Sequence, residues 1–256
     1  MEKKMLIKRT NYLVLSVVLL YIASQLVIHF SLDYELIKKN FYLIIAFTQL
    51  FIILLPALVF THRENLKPVD FFKVKSISVP ETLLIVLMAF TSSFIASALN
   101  SIVIYLMERI GPVGMDTIPA AKSPREFWLQ VFVIAMLPAI CEEFFFRGII
   151  FNSYKSLSIK KSIVVSAFYF ALIHFDIRNF LGPLFLGILI AWYCYRTGSI
   201  IAGSIAHFTN NFISVYINYK SKNIPDPGPI TYEVLISFIV FAAFAGAFLF
   251  IIIKVF

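Results

Sequence analysis

The stretch "LPAICEEFFFRGIIF", Leu137 to Phe151, sets two adjacent carboxylates, Glu142 and Glu143, and one arginine, Arg147, in an otherwise apolar segment. With its flanks the segment is long enough to cross a bilayer. An ionisable group at mid-membrane costs about 2.5–3.5 kcal/mol or more on insertion scales. Three such groups so close together need partners and a purpose. Glu143 and Arg147 stand at i and i+4, so they share one helical face and can pair. Glu142 is rotated from Glu143 by about 100° and finds no partner on its own helix. Pro138, one turn earlier, removes a helix hydrogen bond and can open room beside the carboxylates.

The rest of the chain agrees with a membrane setting. Of its 256 residues 60% are hydrophobic and 14% charged, where a soluble domain carries roughly 25% charged residues. Apolar runs recur at about 11–30, 41–60, 80–107, 125–152, 161–175, 180–196, 199–219 and 232–253, each a membrane-helix candidate. The predicted fold is an all-α polytopic membrane protein, an eight-transmembrane-helix bundle with an intramembrane catalytic cavity. No loop is long enough for a second domain, so 1–256 is read as a single membrane domain. The fifth and sixth runs are short and are separated by the polar "HFDIRNF". Polar breaks at such depth line cavities rather than face lipid. At the start of the fourth run, "SPRE" (Ser123 to Glu126) fits a capping box with proline in the first turn.

The net charge of +8 does not point to nucleic acid. The basic residues sit in alternate short loops: the N-terminus, Arg63 to Lys75, Lys155 to Lys161, Arg196 and Lys254. By the positive-inside rule these loops, and with them both termini, are cytoplasmic. The intervening loops are balanced, as in Glu108, Arg109, Asp116, Lys122, Arg125 and Glu126. The N-terminal run has no small-residue cleavage site and reads as an uncleaved first helix. Cys141 and Cys194 lie in apolar runs and read as small buried hydrophobes.

Other polar groups lie at similar depth. "FALIHFD" carries His174, and "IAHFTNNF" carries His207 and Asn211 at i and i+4. Counting along the helices from their basic ends puts Glu142 about 15 Å, His174 about 20 Å and His207 about 12 Å deep. All fall near the middle of a hydrocarbon core about 30 Å thick. The set suits hydrolysis. A carboxylate and an imidazole can hold and deprotonate a water, and a second imidazole and an amide can stabilise the oxyanion that follows. A metal is the competing reading, because Glu142, His174 and His207 match a His₂Glu zinc set, although no HExxH occurs. The residues leave both open. A proton-relay transporter would also use buried Glu and His, but no repeat symmetry of the transporter kind is visible. His29 and His62 stand at span ends. Asp176 and Arg178 can pair with each other beside His174.

"EEFFFRG" (Glu142 to Gly148), "FALIH" (Phe170 to His174) and "HFTNN" (His207 to Asn211) resemble, in order and spacing, the EExxxR, FxxxH and HxxxN motifs of the CPBP family. These are the CAAX-protease and bacteriocin-processing (Abi) intramembrane proteases. The resemblance covers about 123–216, which would be the catalytic core. It implies eight helices around a cavity open to the cytoplasm. It implies that Glu142 and His174 activate water, that His207 and Asn211 form the oxyanion hole, and that Glu143 and Arg147 support them. The implied partners are the lipid bilayer and a peptide or membrane-protein substrate, prenylated in some members and bacteriocin-like in others. Some members serve as scaffolds or in bacteriocin immunity instead.

Overall fold

The structure, a computed structural model, describes residues 2–111, 113, 119–224 and 228–256. Asp116, counted above among the balanced loop charges, lies outside them. The described residues are helical and contain no strand. In chain order the helices are α1 (Glu2–Ser31), α2 (Tyr34–Lys39), α3 (Phe41–Arg63), α4 (Pro68–Phe72) and α5 (Val79–Glu108), followed by α6 (Pro124–Tyr154), α7 (Ile159–Leu172), α8 (Leu181–Thr197), α9 (Ile200–Lys220) and α10 (Tyr232–Val255).

Seven helices among the described residues are long and apolar enough to cross a membrane: α1, α3, α5, α6, α9, α10 and the Ile177–Thr197 segment that contains α8. The fifth predicted span differs. It forms α7, only 14 residues, which is about 21 Å long. Ser158 caps its start. At its far end Phe175 adopts a left-handed conformation, φ 48°, which ends a helix at once. The polar break that follows folds as a single 3₁₀ turn, Ile177–Asn179.

Burial separates centre from periphery. In α6, 56% of the most apolar window is buried, against 11% in α1 and in α10. The central helix is the one that carries the charges. It is irregular, with π-helical turns at Val131–Met136 and Phe144–Phe151 on either side of Pro138. A π turn marks a local insertion in a helix and often accompanies a functional site. A third lies at Thr48–Leu54 in α3. α7 and α8 form an antiparallel hairpin, α8 and α9 pack on α5, α9 covers the first half of α6, and α10 lies on the outside of α5. Ser123 caps α6 as expected, but Glu126 accepts from the Lys122 backbone N–H instead of closing the box on Ser123.

Two short elements went unforeseen. α2 joins α1 to α3. α4 belongs to a strap that crosses the end of the bundle where α6 stops and α9 starts. Asn152 donates to Phe71 O at 2.7 Å, the Ile200 N–H donates to Lys73 O at 3.2 Å, and the Ser199 hydroxyl donates to Lys75 O. Phe72 is buried over Gly148, where any Cβ would overlap its ring.

Candidate active site

Glu143 is fully buried and accepts two charge-assisted hydrogen bonds on one oxygen. Arg147 Nη1 donates to Oε1 at 2.7 Å, and His207 Nδ1 lies 2.9 Å from the same atom. The second contact crosses from α6 to α9 and fixes the ring. With Nδ1–H facing the carboxylate, Nε2 points away from it. Arg147 is only 2% exposed, and its Nη2 donates to the Gly187 carbonyl at 3.0 Å. Such a pair tolerates burial only through hydrogen bonds of this kind. Gly203 makes the close approach possible. A Cβ there would stand 2.8 Å from Glu143 Oε2 and 2.6 Å from Cys194 Sγ.

Glu142 does face elsewhere, but its hydrogen-bond partner comes from another helix. Gln49 Nε2, on the π turn of α3, donates to Glu142 Oε1 at 2.7 Å. This residue was missed. Its signal was a lone amide in the middle of "IIAFTQLFIIL", a position that is costly unless used. Glu142 Oε2 lies 3.9 Å from His207 Nε2, too far for a hydrogen bond and close enough for a bridging water.

His174 Nδ1 lies 2.8 Å from Phe170 O. A carbonyl only accepts, so Nδ1 carries the proton and Nε2 keeps a lone pair. Phe170 does more than hold one imidazole. Its ring meets His174 and His207 edge to face, both at 5.3 Å, and the Arg147 guanidinium stands 4.6 Å from its centre. Asn211 donates one amide N–H to Ile134 O at 3.2 Å and keeps the other. Asp176 and Arg178 pair at 2.7 Å.

Glu142, His174, His207 and Asn211 all line a cavity of about 380 Å³ together with Pro138. A second cavity, about 370 Å³, reaches Glu142 and His174 from the side of α1 and α3, past Tyr21 and Gln49. Among the described residues no three His, Cys, Asp or Glu side chains gather as a metal set. Glu142 takes its hydrogen bond from the Gln49 amide.

Residues 124–213, 90 of the 256, match a family model described as Rce1-like, type II CAAX prenyl endopeptidase Rce1-like. All three motifs fall inside the match. The match covers about a third of the chain and makes this segment similar to the CAAX-protease family. The likeness thus rests on the segments that carry Glu142, His174 and His207, while Gln49 on α3 lies outside the matched residues. No curated protein and no solved structure matches the chain. Seven helices long and apolar enough to cross a membrane, together with this match, make the chain an integral, multi-pass membrane protein.

Proposed function

We propose that the chain is an intramembrane endopeptidase, an eight-helix membrane bundle in which α7 is the short eighth crossing and 123–216 is the catalytic core. One observation carries this reading: Glu142, His174, His207 and Asn211 come from α6, the end of α7 and α9, yet front one cavity. The match to a protease family over the same residues supports it.

The chemistry follows from the hydrogen bonds. Gln49 engages Glu142 Oε1, which leaves Oε2 free toward the cavity. A water between Oε2 and the lone pair of His174 Nε2 gives its proton to Glu142 as its oxygen attacks the scissile carbonyl. The oxyanion is met by His207 Nε2–H and the free N–H of Asn211. With His207 doubly protonated, Glu142, Glu143, Arg147 and His207 together carry no net charge, which suits a buried site. Collapse of the intermediate breaks the C–N bond, and Glu142 returns its proton to the leaving amine. No step is routed through a metal.

The substrate is a peptide or membrane-protein segment reaching the site from the bilayer or its edge. The family model's description points to prenylated CAAX tails, and the short loops resemble bacterial members that process unprenylated peptides. The test is the purified full chain in liposomes with a peptide library offered with and without a C-terminal prenyl-cysteine. Wild type cleaves, and Glu142→Gln and His174→Ala, equally folded, do not. Elemental analysis with chelator treatment goes alongside: stoichiometric zinc lost together with activity would overturn the metal-free steps. Partner binding that survives Glu142→Gln, with no cleavage by wild type, would make the fold a scaffold or immunity protein.

A further inference from the structure

The two cavities that meet at Glu142 and His174 extend in the same direction. The first runs from His207 and Ile190 to Asn100, Asn179 and Gly182. The second runs from Gln49 to Ile28 and Ile37. Both therefore reach the end of the bundle formed by the α1–α3 and α7–α8 connections. Neither is lined by a residue of the opposite end.

That opposite end is shut. Phe145, Phe146, Ile149 and Ile150 are each no more than 1% exposed, and the strap with Phe72 is hydrogen-bonded over them. The cleft that approaches Arg147 from this side holds about 10 Å³, at most the space of one water. The shut end is also the basic one. Thirteen of the 22 Lys and Arg residues lie there with four acidic residues, while the open end carries eight Lys and Arg and, among the described residues, six acidic ones. Lys155 stands in this cluster, its ammonium held below the usual lysine range by burial and by the charge of Lys73.

Basic loops stay in the cytoplasm. We infer that the site is entered from the extracytoplasmic face, so its substrates are peptide segments exposed on, or already moved to, that face. The resemblance implied a cavity open to the cytoplasm, and that orientation would require the basic end to be outside. The inference refines the protease reading by substrate location, but its test does not use proteolysis.

The full chain is expressed in intact bacteria and treated with a charged, membrane-impermeant maleimide. Cys141 and Cys194 are buried, so wild type is the unlabelled control. Ser214→Cys and Gln25→Cys report the two cavities, where both residues are exposed, and Lys75→Cys reports the basic end. The expected result is labelling of Ser214→Cys and Gln25→Cys in intact cells, and of Lys75→Cys only after permeabilisation. Labelling of Lys75→Cys in intact cells overturns the inference, as does failure of both cavity variants to label before permeabilisation while they elute as folded protein. Absence of cleavage with the expected labelling pattern would sink the protease reading alone.

Discussion

Gln49 holds Glu142: an amide from α3 donates to one carboxylate oxygen at 2.7 Å and leaves the other facing the cavity and His207. A hydrogen bond to a charged group contributes about 1.5–3 kcal/mol. Gln49→Leu should therefore lower kcat/KM by roughly 10- to 100-fold, mainly through kcat, with the fold kept. Steady-state kinetics beside thermal unfolding in detergent check this. Unchanged kcat would show that Glu142 needs no anchor.

Glu143 holds two partners on one oxygen, Arg147 at 2.7 Å and His207 at 2.9 Å. Removing one partner of a buried pair costs about 3–5 kcal/mol, so Arg147→Met should lower Tm sharply. The double variant Glu143→Gln/Arg147→Met should regain much of that stability. It should not regain activity, because His207 then lacks its carboxylate. Recovery of both would make the pair a purely structural brace.

Gly203 leaves room for Glu143 Oε2 and Cys194 Sγ. Gly203→Ala should destabilise by about 1–3 kcal/mol, the usual cost of overpacking, and reduce activity by displacing Glu143. Adding Cys194→Ala removes the sulfur contact only. The double variant is expected to regain stability more than activity, as read by thermal unfolding and turnover.

Asp176 sits two residues after His174 and pairs with Arg178. The Arg178 side chain and backbone N–H hold its carboxyl below the usual aspartate range. A depressed folded pKa means that the contribution is present above the unfolded value and lost as pH falls through the folded one. Asp176→Asn should thus lower stability at neutral pH by no more than roughly 1 kcal/mol for a partly exposed pair, seen as a slightly lower Tm. The difference from wild type should persist through mild acid and vanish only below the ordinary carboxylate range. A Tm series against pH in detergent tests it; a difference that disappears near neutrality would contradict the assignment.

The membrane fold was legible because hydropathy is a sum over many residues, and seven of the eight expected runs meet that measure. The count was harder at α7, whose 14 residues end where Phe175 takes a positive φ, a backbone choice that hydropathy does not record. Glu142, Glu143, Arg147, His174, His207 and Asn211 were visible as polar residues in apolar runs. Their pairings were less so. The i,i+4 contact of Glu143 with Arg147 follows from helix periodicity, whereas His207 to Glu143 and Gln49 to Glu142 depend on how α9 and α3 rotate against α6. The strap of α4 was invisible for a similar reason: its hydrogen bonds go to backbone carbonyls, which carry no residue signature.

The most direct test of the central claim, that Glu142 is the base of an intramembrane endopeptidase, is quantitative membrane peptidomics of cells expressing wild type or Glu142→Gln at equal levels. The substitution keeps an oxygen for Gln49 and removes only the base. The account predicts specific cleavage products that appear with wild type and are absent with the variant, their precursors accumulating intact. Identical peptide profiles from the two, with both proteins folded in the membrane, would contradict it.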